Sequence, residues 1–331
     1  MKKEFTLIVL EVCFVFSIFS QNPPQDKNWD TVFIDNFNAF DTNRWRKPNE
    51  AFHGEDENIE PQIYLSNNVY LNGNGKLILE VNDSYYFCNS CKREHNYYTS
   101  GEIVSTQTYQ YGYFEIICKL PKGKSFWPAF WLWNDNNIPP LCWYNEIDIF
   151  EMDGSYPNQT HYNFHWNYDC PRTKNSDLHD YGQIKECDDY SLNFHSYSLE
   201  WSPDKMVWFL DNILLHKEQN IYGITHPQYL IANLALRPWD LPDSTTPFPS
   251  YMYIESINVY KLKMDCDSIV NEIFDFSNFY FAVKKSITLS GLTIVPPNAN
   301  ITLRATDYII LNQGFEIPLE TEFCLEINSC Y

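Results

Sequence analysis

From Val32 onward the chain is a succession of short runs in which apolar and polar residues alternate, separated by turn-forming clusters. A period of two marks a strand with one face in a core and the other in water. Residues 111–121 show it well, with Phe114, Ile116 and Cys118 in phase. The same pattern predicts strands over 76–81 (after the turn Asn72-Gly73-Asn74-Gly75), 127–133, 161–166, 197–201, 206–210, 229–235 and 252–260. Helical spacing is almost absent. Many short strands at regular intervals predict an all-β protein built as an antiparallel β-sandwich.

The texture changes near residue 262. The remainder is free of Trp and rich in Leu, Ile and Thr, with short β runs over 285–289, 300–304, 308–311 and 314–317. Residues 31–262 are therefore read as the main domain and 263–331 as a separate small β module. Residues 21–30 are polar and Pro-containing, a linker. Residues 1–20 read as a secretory signal: Lys2 and Lys3 precede an apolar run, Phe5 to Phe19, that is too short to span a membrane.

One predicted strand breaks the alternation. In Asn145-Glu146-Ile147-Asp148-Ile149-Phe150-Glu151, Glu146 and Asp148 share a face, and strict alternation would place Phe150 beside them. The third acid comes one residue late. A β-bulge across Ile149-Phe150 would return Glu151 to the carboxylate face and keep the apolar residues inside. Three close carboxylates repel one another and raise each other's pKa, which leaves one protonated at neutral pH. One ionised and one protonated carboxyl is the equipment for cleaving a glycosidic bond. A bare ExDxxE is more often a solvated helix face, but the interleaved Ile, Ile and Phe argue for a strand.

The neighbours add to the site. His161, Asn163 and His165 alternate and would form a polar floor if their strand pairs with the acidic one. Trp127 and Trp131 are expected as flat platforms for sugar rings, and Trp133 is left between cleft and core. The net charge of −20 argues against nucleic acid and sulfated polyanions as ligands and fits a neutral polysaccharide. Aromatic residues make up 17% of the chain, which suits a β-rich protein with ring-lined surfaces. Export permits disulfides: Cys170 and Cys187 bracket a polar loop, Cys88 and Cys91 form a CxxC, and Cys142, Cys266, Cys324 and Cys330 are further candidates, whereas Cys118 reads as a core thiol. No HExxH, GxSxG or GxGxxG is present.

Taken in order, these segments resemble glycoside hydrolase family 16. The resemblance rests on Glu146-Ile-Asp148-Ile-Phe-Glu151 and its flanks: Tyr98-Thr-Ser-Gly101, Tyr111-Gly-Tyr-Phe-Glu115, Lys119-Leu-Pro-Lys-Gly123, Trp127-Pro-Ala-Phe-Trp131, Phe194 to Trp201 and Asn233-Leu-Ala235. It implies a jelly roll with a concave substrate cleft and a retaining, endo-acting mechanism. Glu146 is similar to the family's nucleophile, Glu151 to its acid/base, Asp148 to the carboxylate that tunes the nucleophile, and His165 to the histidine near the acid/base. His161, Asn163, Trp127 and Trp131 are expected to bind substrate. The bulged form resembles the laminarinase, agarase and carrageenase branches. The negative charge favours β-1,3-glucan among them. β-Agarase or galactanase activity, transglycosylation and non-catalytic carbohydrate binding are the alternatives. No cofactor is required. Many members carry a structural calcium site, and here Asn36 and Glu255 stand in place of the Glu and Asp near it; Glu102 stands where the family often has Arg. The protein is expected to be secreted and to act as a monomer without a membrane span. The tail resembles small β modules at the ends of secreted bacterial proteins, which serve in export, anchoring or display.

Overall fold

The computed structural model describes residues 23, 29–54, 59–88, 91, 93, 95–138, 141–167, 178–185, 189–202, 205–218, 224, 226–262, 265–273, 283–297, 300–327 and 330. Its alternating segments form two large sheets. One has the spatial order Leu178–Lys185, Gln159–Asn167, Leu141–Met152, Phe126–Ile138, Gln228–Leu236, Glu102–Tyr109, Trp45–Arg46, and every pair in it is antiparallel. The other runs Ile213–Glu218, Met206–Leu210, His195–Trp201, Gly112–Lys119, Ser250–Leu262, Leu77–Val81, Val69–Leu71, with Trp29–Asp35 also paired to Ser250–Leu262. Consecutive hairpins make up one end of each sheet, while the remaining neighbours are distant in sequence, so the chain crosses between the layers, as in a jelly roll.

The period of two explains what fills the space between the sheets. Phe114, Ile116 and Cys118 from one sheet and Phe126, Phe130, Leu132, Ile147 and Phe164 from the other are all buried in one cluster. Trp45, Trp201 and Trp208 are buried with them. A large group of aromatic residues thus packs the core, while others, such as Trp239 and Tyr156, stand exposed.

Several boundaries differ from the expected ones. The first strand starts at Trp29, inside the segment read as linker, because Trp29 pairs with Leu262. Two strands flank Gly101, Tyr98–Ser100 and Glu102–Tyr109. A Cβ at Gly101 would lie 2.5 Å from the Asn68 carbonyl oxygen, so the backbones meet closely there. Tyr98–Ser100 pairs instead with Gln62–Tyr64, in parallel.

Beyond the sandwich, Asp265–Val270, Lys284–Leu289, Asn300–Leu311 and Glu322–Ile327 make a four-stranded parallel sheet with its own core of Ile273, Ile287, Leu289, Val295, Ile301, Leu303 and Ala305. Because the strands are parallel, each starts at the same end of the sheet. The runs 300–304 and 308–311 are one strand, and 314–317 is not a strand: Gly314, at φ 90°, turns the chain there. A Cys266–Cys330 disulfide ties the ends of this module, and Cys88 is bonded to Cys91. Cys118 is free and buried, and Cys324 free and exposed. The signal segment 1–20, Cys170 and Cys187 lie outside the described residues, as does the side chain of Cys142. Among the described residues no helix is long and apolar enough to cross a membrane.

Candidate active site

The acidic strand, Leu141–Met152, carries the bulge its sequence calls for. On one side Asp148 pairs with Asn163 and Glu151 with His161; on the other Asp148 pairs with Trp131 and Glu151 with Ala129. Three steps along this strand thus match two along each neighbour, and Ile149 and Phe150, the residues at the irregularity, both turn into the core at 3% and 1% exposure. The Phe150 ring lies 4.2 Å, centroid to centroid, from that of Tyr197 in the opposite sheet. Trp208, also from that sheet, donates its indole N–H to the Asp148 carbonyl at 3.0 Å. Core packing and a cross-layer hydrogen bond together fix the point at which the face is reset.

The register lays the exposed face out in rows. One row reads Glu102, Asn233, Ala129, Glu151, His161; the next Ile231, Trp131, Asp148, Asn163; the third Tyr229, Trp133, Glu146, His165. Directly opposed residues on one face are within reach of each other, so all three acids are brought together with His161, Asn163 and His165. The histidine order is informative: His161, rather than His165, is the register partner of Glu151, while His165 stands opposite Glu146 with Nε2 3.5 Å from Asp148 Oδ2. Asn163 is buried and accepts from the Phe164 N–H through its own amide oxygen at 3.0 Å. Small Ala129, between Trp127 and Trp131 on the same face, leaves room beside Glu151.

The electrostatics separate the acids. Burial, and then the charge of Glu146, push Asp148 well above the usual carboxylate range. Glu151 is pushed up to about 8, first by burial and then by Asp148 and Glu146. The charge of His165 and a 2.8 Å hydrogen bond donated by the Trp127 indole pull it the other way without undoing the effect. At neutral pH Glu151 therefore holds a proton. His161 is pushed down, by burial and then by the charge of Arg237.

Trp127 and Trp131 both stand at the face. Beside Glu151 a cavity of about 420 Å³ is lined by Trp127, Tyr156, His161, Arg237 and Trp239. The rings of Trp127 and Trp239 meet edge-on at 5.2 Å, and the Arg237 guanidinium lies 6.0 and 5.8 Å from their centroids while pairing with Asp153. Trp239 is 65% exposed, an open platform. Arg237 and Trp239 were not among the residues predicted from sequence. Their signal is the Arg-Pro-Trp that ends the apolar run of Gln228–Leu236, a large ring placed just where a strand opens into a loop.

Trp131 is held from behind. Its indole N–H donates to Asn233 Oδ1 (2.9 Å), Asn233 Nδ2 to the Tyr64 hydroxyl (2.8 Å), and that hydroxyl to Glu60 (2.9 Å). Glu102, a departure from the Arg common in the resembled family, is buried and paired with His53 Nε2.

Two groups of potential metal ligands occur among the described residues. Glu50, Cys88 and Cys91 include a disulfide, which removes both thiolates. Glu146, Asp148 and His165 are the acidic face itself. Glu255, one of the two residues standing in place of the family's calcium-site residues, pairs with Lys76 at 2.8 Å.

The profile of the family described as Glycosyl hydrolases family 16 matches residues 62–255. Among characterised proteins, the chain is 28% identical over 277 residues to a glucan endo-1,3-beta-glucosidase A1 of Niallia circulans, covering 74% of this chain and 40% of that one. It is 27% identical over 284 residues to a beta-glucanase of Rhodothermus marinus, covering 78% and 93% respectively. The chain thus spans well under half of the first relative and nearly all of the second. Among solved structures, the laminarinase catalytic domain of Thermotoga maritima is 30% identical with a TM-score of 0.59 over 71% of this chain and 99% of that one. The endo-1,3-beta-glucanase catalytic domain of Thermotoga petrophila is 30% identical with a TM-score of 0.60, over 72% and 99%.

Proposed function

The chain belongs to glycosyl hydrolases family 16, and from that premise we propose that it is a secreted, retaining endo-β-1,3-glucanase acting on a neutral laminarin-like polysaccharide. The observation that carries the mechanism is the split between the carboxyls: Glu151 keeps a proton at neutral pH, on the face it shares with Glu146. The glucan preference is supported by the names of the relatives and by the charge of −20, which repels sulfated polymers.

In the first step Glu146 attacks the anomeric carbon while the Glu151 proton passes to the departing glycosidic oxygen, which leaves as an alcohol. The electron pair of the C–O bond goes to that oxygen, and a β-linked sugar becomes an α-linked ester on Glu146. In the second step water attacks the same carbon, the Glu151 carboxylate takes its proton, and Glu146 is released. Two inversions leave the β configuration. Asp148, between the two, is kept protonated by burial and by the charge of Glu146, so its carboxyl proton is placed to be shared with the nucleophile, and His165 Nε2 lies 3.5 Å from it. The flat faces of Trp127, Trp131 and Trp239 stack sugar rings. Reducing-sugar release from laminarin, lichenan, agarose and carrageenan, combined with the anomeric configuration of the first product, tests the proposal. Cleavage of laminarin to a β product supports it; activity confined to agarose or carrageenan, or an α first product, overturns it.

A further inference from the structure

We propose that His53 is a substrate-positioning residue of this cleft, donating from Nδ1 to a sugar hydroxyl on the glycone side of the scissile bond, with buried Glu102 and Glu60 holding it there. The inference rests on the retaining-glucanase reading above and deepens it.

Glu102 is 2% exposed and opens the row that continues through Asn233 and Ala129 to Glu151. A buried carboxylate in a face that already carries three acids is costly unless a cation meets it. His53 Nε2 does so. The imidazole stands edge-on to Trp131 and to Tyr64, each with centroids 5.4 Å apart. Its side chain is 30% exposed, so one part of the ring reaches solvent beside the Trp131 platform. With Nε2 committed to Glu102, Nδ1 has no partner among the described residues.

The surroundings keep the ring charged. Burial alone lowers its pKa, but Glu102, then Glu60 and Glu146, more than reverse this and raise it to about 9. Glu60 is itself buried and accepts from Tyr64 and Gln62, so it cannot swing away. An imidazolium has two N–H donors, and the second is a charge-assisted donor waiting at the edge of the cleft.

The side of the bond follows from the layout of the face. Trp131, which the His53 ring abuts, stands in the row of Asp148 next to that of Glu146, whose target is the anomeric carbon of the glycone, whereas the Trp127–Trp239 cavity lies on the other side of Glu151 and serves the leaving sugars. Sugars lying toward Trp131 are therefore the ones His53 meets.

The test uses the full chain and chromogenic aryl β-glycosides bearing one, two or three β-1,3-linked glucoses as glycone. His53→Phe keeps a ring against Trp131 and Tyr64 but removes donor and charge. Because it strands a buried carboxylate, the double variant His53→Phe/Glu102→Leu is measured beside it. His53→Gln, which retains a donor, is the conservative control. With the melting temperature of the double variant near wild type, kcat/KM on the trisaccharide glycone is expected to fall at least tenfold more than on the monosaccharide glycone, with partial recovery in His53→Gln. A uniform loss across the three lengths, or no loss, overturns the assignment of His53 while the wild type remains a glucanase. A wild type inert on all three aryl glycosides and on laminarin overturns both readings.

Discussion

Asp148 and Glu151 are three residues apart in the chain and two apart in the sheet, since their partners are Asn163 and His161. The extra residue is absorbed by Ile149 and Phe150, which both face the core. The alignment of the acids thus depends on a packing feature on the opposite side of the strand. Phe150→Ala is expected to cost about 3–5 kcal/mol of stability by leaving a cavity against Tyr197. Denaturant titration measures this, and kcat should drop as well because the bulge loses its filling.

Trp208→Phe probes the same link more gently. It keeps an aromatic ring but leaves the Asp148 carbonyl without its indole donor, for about 1–3 kcal/mol. Since Trp208 is buried in the other layer, its loss should show in kcat more than in KM. Steady-state kinetics on laminarin check the split.

The pH dependence has a definite sign. Glu151 must carry a proton for the first step, so kcat/KM should fall as pH rises through about 8. Trp127→Phe removes a hydrogen bond that favours the ionised carboxylate, and the falling limb should then move to higher pH. For stability, a carboxyl whose folded pKa lies above its unfolded value binds its proton more tightly when folded. Its contribution is therefore complete below about 4.5 and is lost as pH rises through about 8. Glu151→Gln, permanently neutral, should match wild type below about pH 4.5 and exceed it in Tm near pH 9, read by thermal melts.

Trp239 offers a test of the cavity beside Glu151. It is largely exposed, so Trp239→Ala should leave the fold intact. KM for long laminarin chains should rise about 3–10-fold, with kcat for aryl glycosides little changed, because the ring lines the cavity beside Glu151 that is proposed to hold the leaving sugars.

What could be read in the chain, and what could not, divides along physical lines. The bulge was legible because Glu151 falls out of phase with Glu146 and Asp148 while Ile149 and Phe150 are both apolar; period two admits few other solutions. The alternation of His161, Asn163 and His165 put all three on one face, but their pairing with the acidic strand is visible only in the folded chain. The residues that were missed, His53, Arg237 and Trp239, lie outside strands, where no periodicity marks a face and only the folded chain reveals the neighbours. Glu102 stood out only as a departure from the Arg of the resembled family, and its partner comes from a loop 49 residues earlier. In the C-terminal module strand content was legible from Ile and Leu spacing. Its parallel arrangement was not, because direction depends on the course of the connecting segments; Gly314 after Leu311 marked a turn that the apolar Phe315 and Ile317 disguised.

The central claim is that Glu146 forms a bond to the sugar. Incubation with an activated aryl 2-deoxy-2-fluoro-β-laminaribioside, whose fluorine slows the second step, followed by proteolysis and peptide mass spectrometry, reads this directly. The account predicts one disaccharide added to the peptide containing residues 145–152, attached at Glu146 and absent in Glu146→Gln. A label on Glu151 or Asp148, or an unlabelled enzyme that still releases the aryl group in a stoichiometric burst, would contradict it.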